Sequence, residues 1–170
     1  MKKITIKFAR TYIGTFQGLS SDCYFGLALC TLESILVGIY YYLSFYLVDT
    51  LHLDITTSGL IISCYGVGAV FGGVIGGKLS DHYSSASVST YSLFAQAGCY
   101  SIFALVNSPA WLMANALLLG IASYSFITAN HLFVLESCQE NEGQRLKALS
   151  ILAMAANLGL GLSAVVLGSI

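Results

Sequence analysis

Read for polarity alone, the chain is a series of long apolar runs with short polar breaks. The runs fall at about 24–48, 57–79, 89–107, 110–135 and 148–170. Each is about as long as the ~20 residues an α-helix needs to cross a hydrocarbon layer of ~30 Å. The breaks are brief: 49–54, 80–88, the turn Asn107-Ser108-Pro109, and 136–147. Ser20, Ser21 and Asp22 supply helix-start chemistry before the first run. The pattern predicts an all-α, polytopic membrane protein of about five spans, with a tail at 1–22 and a transmembrane domain at 23–170.

Within the runs, the polar and small positions say which faces meet protein. From Ser58 to Leu79 the one charge is Lys78, next to the exit. Gly68, Gly72 and Gly76 repeat every four residues, with Gly73 and Gly77 beside them. Such a stripe lets another helix backbone come close, which is how packing is gained where lipid removes the hydrophobic drive. The third run carries Thr90, Ser92, Gln96 and Ser101, so it belongs inside the bundle, where polar groups find partners. The fourth carries Asn115, Ser123, Tyr124, Ser125, Thr128, Asn130 and His131, with Trp111 at its start, where indoles favour the interface. His131 reads either as a group titrating near neutral pH or as an interfacial or core histidine.

Composition strengthens the membrane reading. Of 170 residues, 56% are hydrophobic and 9% charged, and mean hydropathy is +0.79. A soluble domain carries about 25% charged residues, so lipid must be the solvent for much of this surface. A net charge of −1 offers no basic face for phosphates and excludes nucleic acid as a partner. Cysteines at 23, 30, 64, 99 and 138 form no CxxC pair and read as small packing residues. Histidines at 52, 82 and 131 lack ligand spacing to them, so no metal is expected. No nucleophile–base pairing or nucleotide motif suggests an enzyme or a cofactor.

The basic residues set the expected orientation. The tail holds Lys2, Lys3, Lys7 and Arg10, without the short apolar core and cleavage site of a signal peptide. It reads as a basic cytoplasmic tail, with an organelle-type presequence as the alternative. Ile4, Phe8, Tyr12 and Phe16 recur every four residues, as in a helix lying on a membrane surface. Lys78, Arg145 and Lys147 adjoin breaks on the same side as this tail. Excess Lys and Arg marks the cytoplasmic side, so the N-terminus is expected inside and the C-terminus outside.

One acid lies well within a span. Glu33, near the middle of the first run, costs at least ~2.5–3.5 kcal/mol if charged there. It must be protonated, paired or wet. Tyr40, Tyr41 and Ser44 follow at helical offsets of about 7, 8 and 11 residues. A stripe of Glu33, Tyr40, Tyr41 and Ser44 suits a proton or cationic-substrate pathway. The alternatives are a neutral glutamic acid bonded to a neighbouring helix and tyrosines in an interfacial belt.

The glycine-rich second run followed by Gly77, Leu79, Ser80 and Asp81 resembles the second-to-third helix loop of the major facilitator superfamily, Gly-x-Leu-Ser-Asp. The basic half of that motif is absent; His82, Tyr83, Ser84 and Ser85 stand there. Ala116, four residues before Gly120, stands where the family often has Arg. The fifth run, with Asn157, Gly159, Gly161 and Gly168 preceded by Arg145 and Lys147, is similar to the family's fifth helix; Ser163-Ala164 replaces its Gly-Pro. The resemblance implies the N-terminal portion of a secondary transporter for a small solute in the cell (inner) membrane, with proton coupling one option. Missing C-terminal helices or a second half would be its partners, through truncation, frameshift or a split gene. It implies Glu33 and Tyr40 facing a central cavity, and Gly77 and Asp81 in a cytoplasmic gate. It also implies helix-packing roles for Asn157 and Gly159. The alternative is a complete five-span scaffold or oligomeric channel that self-associates through the glycine stripe.

Overall fold

A computed structural model describes residues 19–138 and 142–167. The expected tail therefore lies almost wholly outside the described residues, as does Gly168. Five long helices account for nearly all the rest: α1 Ser21–Tyr41, α2 Ile55–His82, α3 Ser85–Leu105, α4 Pro109–Ser137 and α5 Glu142–Leu167. No strand occurs among the described residues.

Local chemistry starts each helix where a polar side chain can satisfy the free amides of a first turn. Ser20 Oγ accepts from the Cys23 amide at 3.2 Å and donates to the Ser137 carbonyl at 3.0 Å. It thereby caps α1 and staples it to the end of α4. Asp54 accepts from the amides of Thr56 and Thr57 at 3.1 and 3.2 Å. Ser84 caps α3 through Ser87 N at 3.3 Å. Pro109 opens α4, where its missing N–H costs nothing.

Three expectations about boundaries need correction. The expected 80–88 loop is only Tyr83 and Ser84, because α2 runs to His82 and α3 begins at Ser85. The polar segment 136–147 is helical from Glu142. Apolarity marks where a helix is in lipid; a helix continues into water at little cost, carrying Lys78, Asp81 and Arg145 with it. The first span is one helical stretch, Ser21–Thr50, but not a regular α-helix throughout. It tightens at Tyr42, continues through Leu43–Phe45, and widens into a π-helical turn at Tyr46–Thr50. Leu51 N bonds Tyr46 O at 3.1 Å, five residues back. The wide turn puts Leu47 at 0% exposure beside Ile61 and Leu112. His52 then reverses the chain with φ of 53°, the left-handed region that histidine tolerates better than most.

Helix α4 is the axis of the bundle: α1, α2 and α3 pack on it, and α5 lies along α1. Gly68, Gly72 and Gly76 meet Leu117, Ile121 and Ser125 in turn, so α2 and α4 run the same way. Asn115 Nδ2 bonds the Cys99 carbonyl at 2.9 Å and Ser85 Oγ bonds Glu136 at 2.9 Å, so α3 runs opposite to α4. Cys30 Sγ reaches the Leu152 carbonyl at 3.8 Å and Gly38 meets Ser163, so α1 and α5 are parallel. Successive helices thus alternate in direction, as threading through a bilayer requires.

Four helical stretches are long and apolar enough to cross a membrane: Ser21–Thr50, Ile55–His82, Pro109–Ser137 and Glu142–Val166. α3 is less apolar because Ser85, Ser89, Ser92 and Gln96 form its buried stripe against α4. Its 21 residues still span about 31 Å at ~1.5 Å per residue. It follows α4 from end to end, so it shares α4's solvent. Val67, Val70, Phe71 and Val74 point outward from α2, and Val165 from α5; in lipid such a surface is the rule. Cys23, Cys30 and Cys138 sit buried in one apolar cluster and Cys99 in another.

Candidate functional site: a buried polar layer beside a tyrosine-walled cavity

Glu33 is 3% exposed, and its Oε1 has no hydrogen-bond partner among the described residues. It shares a face of α1 with Gly26 and Tyr40, seven residues to either side. At Gly26 that face meets α4: Asn130 Nδ2 donates to the Gly26 carbonyl at 3.0 Å. Tyr100 of α3 donates to the Leu36 carbonyl of α1 at 2.6 Å. One turn earlier on these two parallel helices lie Gln96 and Glu33. Gln96 is fully buried; its Oε1 accepts from Ser123 at 3.1 Å, and its Nε2 is unpartnered among the described residues. Tyr65 of α2 lies nearby, stacked on Tyr40 of α1. Glu33, Gln96 and Ser123 therefore lie at about one level of α1, α3 and α4 and form a polar layer.

Such a layer is costly unless something fills its open valences. A buried acceptor without a donor loses the free energy of its hydration. An orphan carboxyl oxygen and an orphan amide N–H at one depth make a place for a proton, a water or a ligand cation.

Beside the layer lies a cavity of about 310 Å³ between α1, α2 and α4. Tyr40, Tyr41, Tyr65 and Tyr124 supply half of its lining residues; Val37, one turn on from Glu33, is another. Tyr40 stacks on Tyr65, with centroids 4.1 Å apart and planes at 25°. Tyr65 meets Tyr124 edge-on at 6.4 Å and 70°. The Tyr40 hydroxyl donates to the Ile62 carbonyl at 3.1 Å.

The stripe expected from spacing is split. Glu33 and Tyr40 are buried on one face, but Tyr41 is 66% exposed. Tyr41 lies at the rim of this cavity and of a second one, of about 410 Å³, against Leu160 and Ser163 of α5. Ser44 lies beyond the tightened turn at Tyr42 and lines neither. Spacing along a regular helix missed that change of phase. It also could not supply Tyr65, Gln96, Tyr100 and Ser123, whose only signal was polarity within apolar runs.

The expected packing glycines divide as well. A Cβ on Gly68 would land on the Leu117 carbonyl; on Gly72 it would lie 2.5 Å from Ile121 O, and on Gly76 2.6 Å from Ser125 Cα. Gly120 answers from α4, facing the Tyr65 carbonyl. Gly159 lies against α1, its Cβ position 2.5 Å from Thr31 O. Asn157 does not join this contact. It is exposed and bonds its own helix at Ala153 O, 2.9 Å away. At the far end of α2, Gly77 is half-buried with room for a side chain, and Asp81 is exposed in the last turn. Neither is brought to Glu33. His131 is exposed on α4.

Helices of alternating direction, an apolar exterior and a polar layer at mid-depth define a multi-pass α-helical membrane protein. The Major Facilitator Superfamily model matches residues 24–170, and the chain belongs to that family of transporters. Comparison with curated proteins and with solved structures returns no match.

Proposed function

We propose that the chain carries one side of the pathway of a facilitator-type secondary transporter, moving a small solute past the α1–α2–α4 face. The observation that supports this most is Glu33, a buried carboxyl with an open acceptor at the level of the Gln96–Ser123 pair. Intramembrane acids of this kind mark ion and substrate paths. In this reading Glu33 exchanges a proton or a cation, Gln96 and Ser123 hold the layer in register, and Gly77 and Asp81 belong to the inner gate. In this reading the protein sits in the cell membrane with its N-terminus cytoplasmic, an orientation that the excess of Lys and Arg on that side supports.

Alternating access rocks one helical repeat against another around a site between them. The described helices form one bundle, so transport requires further helices, supplied by the same gene or by a partner chain. The self-associating scaffold loses its main support: Gly68, Gly72 and Gly76 are occupied by α4 within the chain.

Two arms test the reading. Cells expressing the gene with the DNA immediately downstream should move a solute in a radiolabelled panel, and Glu33→Gln should abolish accumulation. Flux unchanged by Glu33→Gln would remove Glu33 from the path. Liposomes holding only the 170-residue chain should accumulate nothing; accumulation there would show that the five helices suffice.

A further inference from the structure

We propose that the tyrosine-walled cavity is a binding site for an organic cation, its charged head held by ring faces on the side of Glu33. This rests on the transporter reading and adds the substrate class. The cavity of about 310 Å³ is at the small end of ligand sites. Its polar offering is unusual for its size. The Tyr40 hydroxyl is taken by the Ile62 carbonyl. Tyr40 and Tyr65, stacked on each other, line the cavity with their rings, which attract a cation through the negative face of the π-system. Tyr124, at 41% exposure, adds a third ring meeting Tyr65 edge-on.

Charge makes the same selection. Among the described residues Glu33 is the one carboxyl at this depth; Asp22, Asp49, Asp54, Asp81, Glu136 and Glu142 lie at helix ends or turns. Among the described basic residues, Lys78 is in the last turns of α2, and Arg145 and Lys147 are at the start of α5. None of these described basic side chains lines the cavity to hold an anionic solute, and neither does His131 of α4, which is exposed. A neutral apolar solute would bring no charge toward Glu33. A quaternary or protonated amine suits the rings and brings its positive charge near the Glu33 carboxyl, one turn from Val37 of the lining.

The test uses the 170-residue chain in nanodiscs of zwitterionic lipid, with empty nanodiscs subtracting partition into lipid. The probe is phenyltrimethylammonium; its neutral isostere, tert-butylbenzene, has the same shape without the charge. Calorimetry should show the cation binding and the isostere at least about tenfold weaker, from the cation–π share alone. Tyr124→Leu should weaken the cation by about 5- to 30-fold, while Tyr124→Phe keeps the ring and changes it by less than about twofold. Glu33→Gln should weaken the cation and leave the isostere unchanged. Far-UV circular dichroism shows whether each variant keeps its helices, and the tolerant Tyr124→Phe controls for folding. Equal binding of cation and isostere overturns the inference, as does Tyr124→Leu without effect on a folded chain. Either result leaves the transporter reading standing, since that reading is decided by flux.

Discussion

Replacing Gly72 by alanine adds one methyl group at the tightest kind of contact. The new Cβ would lie 2.5 Å from Ile121 O, 2.9 Å from Ile121 Cα and 3.0 Å from Gly120 O. All three are backbone atoms, which cannot turn aside as a flexible side chain would. Ordinary contact begins near 3.4 Å, so α2 and α4 must part by on the order of 1 Å at this level. The Ser125 Oγ to Gly72 O hydrogen bond, now 3.0 Å, lies at the same level and would be stretched out of range. Overpacking of this sort costs ~1–3 kcal/mol, and an interhelical hydrogen bond in a membrane is worth ~0.6 kcal/mol. Gly73→Ala is the control: a Cβ there meets nothing within 4 Å. Both variants gain the same helix propensity, so their difference isolates the helix contact, at about 2–3 kcal/mol. Unfolding in mixed micelles by graded SDS, followed by far-UV circular dichroism, reads it directly. A difference below about 0.5 kcal/mol, the level of an ordinary surface change, would refute the claim that α2 and α4 meet backbone to backbone.

The same reasoning separates two neighbours on α5. Gly159→Ala should loosen α5 from α1 by about 1–3 kcal/mol, whereas Asn157→Ala should stay within about 0.5 kcal/mol, measured in the same titration. His52→Gly should gain about 1 kcal/mol by relieving the left-handed backbone at φ 53°, seen as a higher SDS midpoint. Hydrogen bonds from Thr57, then from the Thr57 and Thr56 amides, hold the Asp54 carboxyl below its ordinary range. A lowered folded pKa gives stability present above the unfolded value of ~3.9 and lost as pH falls through the folded one. Protection of the Thr56 and Thr57 amides, relative to their intrinsic exchange rates, should therefore fall below about pH 4. Asp54→Asn, which caps without titrating, should remove that pH dependence; its persistence would put the effect elsewhere.

The sequence carried the architecture because lipid imposes a simple code. Runs of ~20 apolar residues must be helices when no water is present to satisfy a broken backbone. The spacing of Gly68, Gly72 and Gly76 showed that one face of α2 had to meet another backbone. Serines and Gln96 in the third run showed that α3 turned a polar stripe inward. Which helix met that stripe, and at what depth, was illegible. Pairing is decided by the register between elements far apart in the chain, as in Ser123 with Gln96 and Tyr100 with Leu36. The irregular turns from Tyr42 to Thr50 were hidden because tyrosine, leucine and phenylalanine are equally apolar in a regular helix and in a π turn. Asn157 misled for the opposite reason: an amide in lipid can satisfy its donor on its own helix four residues back.

The account depends most on α3 crossing the membrane, because its hydropathy is the least persuasive and its Gln96 completes the polar layer. Reporter fusions ending after Ser84 and after Asn107, one scored by external alkaline phosphatase and the other by cytoplasmic fluorescence, measure this directly. Opposite compartments are expected, with Ser84 cytoplasmic and Asn107 outside. Both reporters on one side would leave α3 out of the bilayer and contradict the five-span bundle and the Glu33 layer within it.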